Sequence, residues 1–290
     1  MISFLLLRRS ITVIAVGFML LTASPAAAAP VTVVVTVQNL APANGTFLTP
    51  VWVAFHDGTF DLYNVGGTIS PGFERLVEDG STRITDGSFP SISTEFNAAR
   101  PNGVDDALPR QARVGQPGFE VIAPGQTLSK AITLDSVNAN TRFFSYASMI
   151  IPSNDFFIAN ANPMAFPIFD GAGNFLGADI LVLGSQVLDA GTEVSDEIPM
   201  NTAFFGQMGE NVGVPQNGVV SLSSGYIPGG PILSSSMFRN ADFTAPGYQV
   251  ARITVQPVPE PATMILLGTG LVGVAGAAYR RRKVGGREDV

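Results

Sequence analysis

Three acidic side chains carry the chemistry this chain could do. Asp155 lies in Pro152-Ser153-Asn154-Asp155-Phe156-Phe157, and Asp189 and Glu193 lie in Asp189-Ala190-Gly191-Thr192-Glu193. Carboxylate oxygens suit hard cations, and Ca²⁺ gathers several oxygen ligands at about 2.3–2.6 Å. Two carboxylates four residues apart around a glycine can turn inward together in one loop, with backbone carbonyls and water completing the shell. Spacing alone leaves two readings open, a cation site and a solvated acidic loop.

The other polar candidates point away from catalysis. His56 is the single histidine, and with Asp57 or Asp61 and a serine it could form a hydrolytic triad. No Gly-x-Ser-x-Gly elbow accompanies it, so a histidine packed at a strand end is the expectation and no catalytic residue is assigned. Cysteine is absent, which excludes thiolate metal sites, a thiol nucleophile and disulfides. Glu78 and Asp79 are expected on the solvated end of a short helix, and Asp105-Asp106 in an exposed loop. Trp52 and the many phenylalanines are expected in the core rather than as a sugar platform. No dinucleotide, P-loop or zinc motif is visible, so no cofactor-binding residue is assigned.

The elements that must position these residues read as short strands. Val31–Val37 is rich in β-branched residues, and Val51–Phe55 is a second apolar run. In Arg142–Ile151, Phe144, Tyr146 and Ser148 alternate against Phe143, Ser145, Ala147 and Met149. Ala131–Leu134 and Gln249–Val255 add two more strands. Ala165–Phe169 and Asn174–Leu183 flank Asp170-Gly171-Ala172-Gly173, a hairpin-type connection. One helix is clear over 70–80: Ser70 caps it, Pro71 fits its first turn, Gly80 stops it, and Phe73, Leu76 and Val77 share a face. Residues 115–130 are loop-rich, and 213–249, rich in Gly, Ser and Pro, form a long loop or an insertion beside the core. The pattern predicts an all-β fold, an antiparallel β-sandwich with one short helix.

Both ends read as export signals. Residues 1–28 combine Arg8-Arg9, an apolar core over Ile11–Leu21 and small residues ending in Ala26-Ala27-Ala28-Ala29. That is the order of a secretory signal peptide, with cleavage after Ala28. At the other end, Pro259-Glu260-Pro261 precedes an apolar run over 262–279 and then Arg280-Arg281-Arg282-Lys283. The run could span roughly 27 Å as a helix, enough for a bilayer core, with the basic cluster left in the cytoplasm. Between the signals, residues 30–259 hold nine Lys+Arg against twenty Asp+Glu, a net charge of −11. Such a surface repels nucleic acid and anionic lipid and suits cations.

Two resemblances follow from these residues. The tail over 256–290 resembles the PEP-CTERM sorting signal of Gram-negative bacteria, through Pro259-Glu260-Pro261, the Gly-rich run with Leu266-Leu267-Gly268 and Gly270-Leu271, and the basic cluster. The resemblance implies an inner-membrane-anchored precursor, processing by exosortase, and a mature form at the cell surface or outside the cell. Residues 30–255, most clearly 31–200, resemble the spondin N-terminal domain of extracellular matrix proteins. The segments are His56-Asp57-Gly58 with Phe60-Asp61-Leu62-Tyr63, Leu76-Val77-Glu78-Asp79-Gly80, and Ser148 to Phe157, followed by Asp189 to Glu193. That resemblance implies a C2-like sandwich holding a calcium ion through Asp155, Asp189 and Glu193, where animal members carry Asp at the last position. It also implies a non-enzymatic protein mediating adhesion to an extracellular matrix component. The alternative is a Ca²⁺-dependent carbohydrate-binding module for exopolysaccharide.

Overall fold

The computed structural model describes residues 30–82, 90–108, 121–134 and 139–258. Its strands are β1 (Val31–Asn39), β2 (Phe47–Leu48), β3 (Val51–His56), β4 (Val104–Leu108), β5 (Thr127–Leu134), β6 (Phe143–Ile151), β7 (Phe156–Ala159), β8 (Phe166–Pro167), β9 (Ala178–Leu183), β10 (Leu188–Asp189), β11 (Ser221–Leu222) and β12 (Gln249–Pro257). Helices α1 (Pro71–Asp79), α2 (Ile92–Ala99) and α3 (Pro231–Ser234) and two 3₁₀ turns, Ala139–Thr141 and Gly184–Gln186, complete the described elements, so the expected single helix is one of three α-helices. The expected signal peptide, 1–28, lies outside the described residues, and of the expected sorting segment, 256–290, all but 256–258 does too, including its apolar run 262–279. Among the described residues no helix is long and apolar enough to cross a membrane.

The strands form two antiparallel sheets. One runs β5-β1-β12-β9; the other runs β11-β10-β7-β6-β3-β4, with β2 and β8 also paired to β6. Alternation along β1 turns Val33, Val35 and Val37 inward, where they join Val53, Phe55, Phe144 and Ile150 of the opposite sheet in one buried cluster. This shared core makes the pair a sandwich, as the alternating pattern predicts. At about 25 cal/mol per Å² of apolar surface removed from water, that core is the main stabilising term.

The larger sheet is buried on both faces, which explains why β3 reads as an unbroken apolar run. Val51, Val53 and Phe55 face the sandwich core; Trp52 and Ala54 face a second cluster with Phe73, Leu76 and Val77 of α1 and Ile92 and Phe96 of α2. Helix α1 begins and ends as its sequence dictates. Ser70 Oγ accepts from Phe73 N, and Gly80 takes φ +65°, where its absent Cβ avoids Thr49. Helix α2 locks the same start: Glu95 accepts from Gly72 N at 2.7 Å and from the Ser70 hydroxyl.

Several expectations are corrected. Asp105 and Asp106 sit on β4 rather than in a loop: Trp52 Nε1 donates to Asp105 at 3.1 Å, and Lys130 pairs with Asp106 at 2.6 Å. The segments flanking Asp170 meet at a single bridge, Phe169 with Phe175, and then part to different sheets. Residues 213–249 are no insertion beside the core, since Tyr226, Ile232, Phe238 and Phe243 fill the sandwich itself. The last strand runs two residues beyond the expected Val255 boundary.

Strand direction defines two ends. At the upper end β1 and β6 finish and β12 starts: the Asn39 amide donates to Thr46 O and Ile122 O, and Phe47 pairs with Ile151. At the lower end β12 finishes beside the start of β1, where Val258 N donates to Thr32 O at 3.0 Å. Ile168 N donates there to Arg142 O, and Leu176 N to Ile168 O.

Candidate functional site

The three predicted carboxylates lie on adjacent segments at the upper end. The turn after β6 is closed by Ser153, whose Oγ donates to Ile150 O and accepts from Phe156 N, delivering Asp155 to the start of β7. Strand β10 pairs Asp189 with Phe156, which brings the 189–193 loop alongside. Gly191 turns that loop at φ +69°, and its N–H donates to Asp189 Oδ1 at 2.8 Å.

Each carboxylate is committed on one oxygen. Asp155 Oδ2 accepts from Thr192 N (2.8 Å), Glu193 N (3.1 Å) and the Thr192 hydroxyl (3.2 Å). Glu193 Oε1 accepts from Gly213 N at 2.9 Å. The remaining oxygens, Asp155 Oδ1 and Glu193 Oε2, are buried without a hydrogen-bond partner. An unpartnered buried acceptor is costly, so both favour a proton or a cation.

Sequence reasoning missed the second half of the site. Glu78 and Asp79, expected in solvent, are 2 % and 1 % exposed. Arg75 of the same helix binds both: Nη1 donates to Asp79 at 2.6 Å, and Nη2 donates to Glu78 and to Glu74. Asp79 also accepts from Asn211 N, and Arg75 reaches the Asn211 side chain, so α1 holds the 211–218 segment. The available signal was the i, i+3 and i, i+4 spacing of Arg75 with Glu78 and Asp79, which places all three on one helix face.

One arginine faces more carboxylates than it can neutralise. Burial, then the charge of Glu78, followed by Asp79 and Asp155, raises Glu193 to about 8. Burial outweighs Arg75 to raise Glu78 to about 7 and Asp79 to about 6. Burial and the charge of Asp189 raise Asp155 to about 6, and burial raises Asp189 itself. Glu78, Thr192, Glu193 and Asn211 line a solvent-open cleft of about 290 Å³.

The arrangement limits what the cleft can hold. Among the described residues, no group of three or more His, Cys, Asp or Glu side chains is placed to hold a metal ion. The orphan oxygens of Asp155 and Glu193 offer two carboxylate ligands at most, with the rest of any cation's shell left to backbone carbonyls, hydroxyls and water.

His56 is fully buried at the end of β3. Its Nδ1 accepts from Gly58 N at 3.0 Å, and Nε2 contacts the Ser145 hydroxyl at 2.9 Å. Accepting at Nδ1 fixes the proton on Nε2, which donates to Ser145. Burial lowers its pKa to about 4.

Comparison with known proteins adds one positive finding. Residues 257–283 match the model of the PEP-CTERM protein-sorting motif, a span that includes Pro259, Glu260 and Pro261. No curated protein matches the chain. The motif marks an exported protein that is recognised by exosortase during processing and passes through a membrane-anchored precursor.

Proposed function

We propose that this chain is an exported, non-enzymatic surface protein whose sandwich, a spondin-like and C2-like domain, makes contact with an extracellular matrix component. The observation that carries the reading is the sorting-motif match beginning at residue 257, at the last residue of the last strand. The folded unit is thereby the cargo of the sorting signal. One feature supports a binding role over catalysis: the only histidine is buried with both ring nitrogens engaged. Among the described residues no aromatic side chain lines the acidic cleft, which favours matrix contact over a stacked sugar.

Calcium belongs to the same proposal as a weak ligand-ordering ion. Two free carboxylate oxygens are few for Ca²⁺, and affinity falls with ligand charge, so the expected range is that of extracellular modules, about 10⁻⁴–10⁻³ M. Bound there, the ion would neutralise Asp155 and Glu193 and stiffen the 189–193 and 211–218 loops.

The sorting reading is tested on protein recovered from its native host. Intact mass is expected to show a mature chain lacking the segment from Ala262 onward. A chain retaining Val290 would replace the processed form by a permanent anchor. Capture of matrix components by the purified sandwich, lost on adding chelator, tests the binding role.

A further inference from the structure

We infer that in the anchored precursor the lower end of the sandwich rests on the phospholipid surface while the acidic cleft points away from it. The inference rests on the sorting-motif reading and adds an orientation to it. There is no spacer between fold and motif. Pro257 still pairs with Val33, and Val258 N still donates to Thr32 O at 3.0 Å, yet the motif match has already begun at 257. A domain tethered by a flexible linker samples all orientations; one whose last strand continues directly into the sorting segment does not.

The surface at that end fits a lipid headgroup layer. Leu176 is 55 % exposed and lies beside the exit of β12, where Ala178 pairs with Val255. Met164, 58 % exposed, lies over Gly58 just past the end of β3, at the same end, where a Cβ built on Gly58 would stand 2.8 Å from Met164 Cγ. Arg142 stacks over Phe143 here, a pairing of cation and ring suited to the headgroup boundary. Asp57, Asp170 and Asp179 are acidic at this end, and each carboxylate is occupied: Asp170 accepts from Ala172 N and from Asn174, Asp57 accepts from Thr59 N and pairs with Arg100 at 3.2 Å, and Asp179 accepts from Arg252 Nε at 2.7 Å. The 189–193 loop of the cleft lies at the other end of the strands: the nine residues of β6, roughly 30 Å of strand, run from Phe143 at the lower end to Ile151 beside the Asp155 turn.

The chain has no cysteine, so single labelling sites are clean. Leu176→Cys, Met164→Cys and Gln216→Cys are made in the full-length chain; the first two report the lower end and the third the cleft. Each is labelled with a fluorophore and reconstituted into phosphatidylcholine vesicles carrying a headgroup quencher. With the ends ~30 Å apart, quenching at 176 and 164 is expected to exceed that at 216 by about threefold or more. Equal quenching at both ends, or stronger quenching at 216, in chains that float with the vesicles overturns the orientation alone. A chain that does not float with vesicles overturns the anchored-precursor reading and the orientation with it. Unchanged thermal melting of the variants confirms that folded protein is being read.

Discussion

The backbone N–H of Glu193 donates to Asp155 Oδ2 at 3.1 Å, and the carboxylate of Glu193 in turn accepts from Gly213 N at 2.9 Å. Two acidic residues thus link three segments in series: the start of β7, the 189–193 loop and the 211–218 loop. The first anchor is the better satisfied, with three donors on one buried oxygen.

Removing that anchor is expected to be costly. Asp155→Ala leaves two backbone N–H groups without an acceptor, each worth about 1–3 kcal/mol when buried. A loss of roughly 2–4 kcal/mol in urea denaturation is expected. Asp155→Asn keeps a carbonyl oxygen for the same donors and is expected to cost less than half as much. Equal losses in the two variants would mean that charge, not the acceptor, holds the loop.

The pH dependence should run against the usual direction for carboxylates. Glu193, Glu78, Asp79 and Asp155 all have folded pKa values raised above their unfolded ones. Between the two values the folded state binds more protons, so stability is greatest at low pH and declines as pH rises from about 4 through 8. His56 opposes this: its folded value is lowered to about 4, so its contribution is lost as pH falls from 6.5 through 4. Four carboxylates outweigh one histidine, so the net profile declines with rising pH, with a lower urea midpoint expected at pH 8.5 than at pH 5.5. A flat or rising profile over that interval would show that the cluster is neutralised by something other than protons.

Much of the fold is legible because burial imposes a period. Strand β1 alternates, β3 is apolar throughout because helices cover its outer face, and α1 carries both of its caps in the sequence. Helix α2 was not legible: Ile-Ser-Thr-Glu-Phe-Asn-Ala-Ala spans two turns with only Ile92 and Phe96 as apolar anchors, too few to establish a helical period. In the site, Asp155, Asp189 and Glu193 were visible from their loop contexts. Glu78 and Asp79 were not, because their burial depends on Arg75 and on Asn211, more than 130 positions away. Charged residues at a helix end are solvated by default, and only the tertiary partner reverses that.

Gly213 is expected to be intolerant of any side chain. A Cβ built there would stand 2.0 Å from Glu193 Cδ, so Gly213→Ala must displace the anchor or the loop. Overpacking of this kind costs about 1–3 kcal/mol. Glu193→Ala in the same chain removes the clash, and the double variant is expected to lose less than the two single losses added together. Strict additivity in that cycle would mean that the two residues do not touch in solution.

Glu193 also separates the calcium proposal from a purely structural acidic cluster. Glu193→Gln keeps an acceptor for Gly213 N and removes a charge that Glu78, Asp79 and Asp155 repel. Without calcium the variant is therefore expected to melt at or above the temperature of the parent chain at pH 8. With calcium the order should reverse. An ion at tenfold excess over its Kd stabilises the parent by about 1.4 kcal/mol, a rise of roughly 3–6 °C for a domain of this size. The variant, short of one of two charged ligands, should gain little from the ion. Mg²⁺ should replace Ca²⁺ poorly, because it demands a tighter octahedron than two loop carboxylates and mobile carbonyls provide. A parent chain whose melting does not respond to millimolar Ca²⁺, in calorimetry as in thermal scans, would leave Asp155 and Glu193 as loop anchors that hold protons instead of a metal.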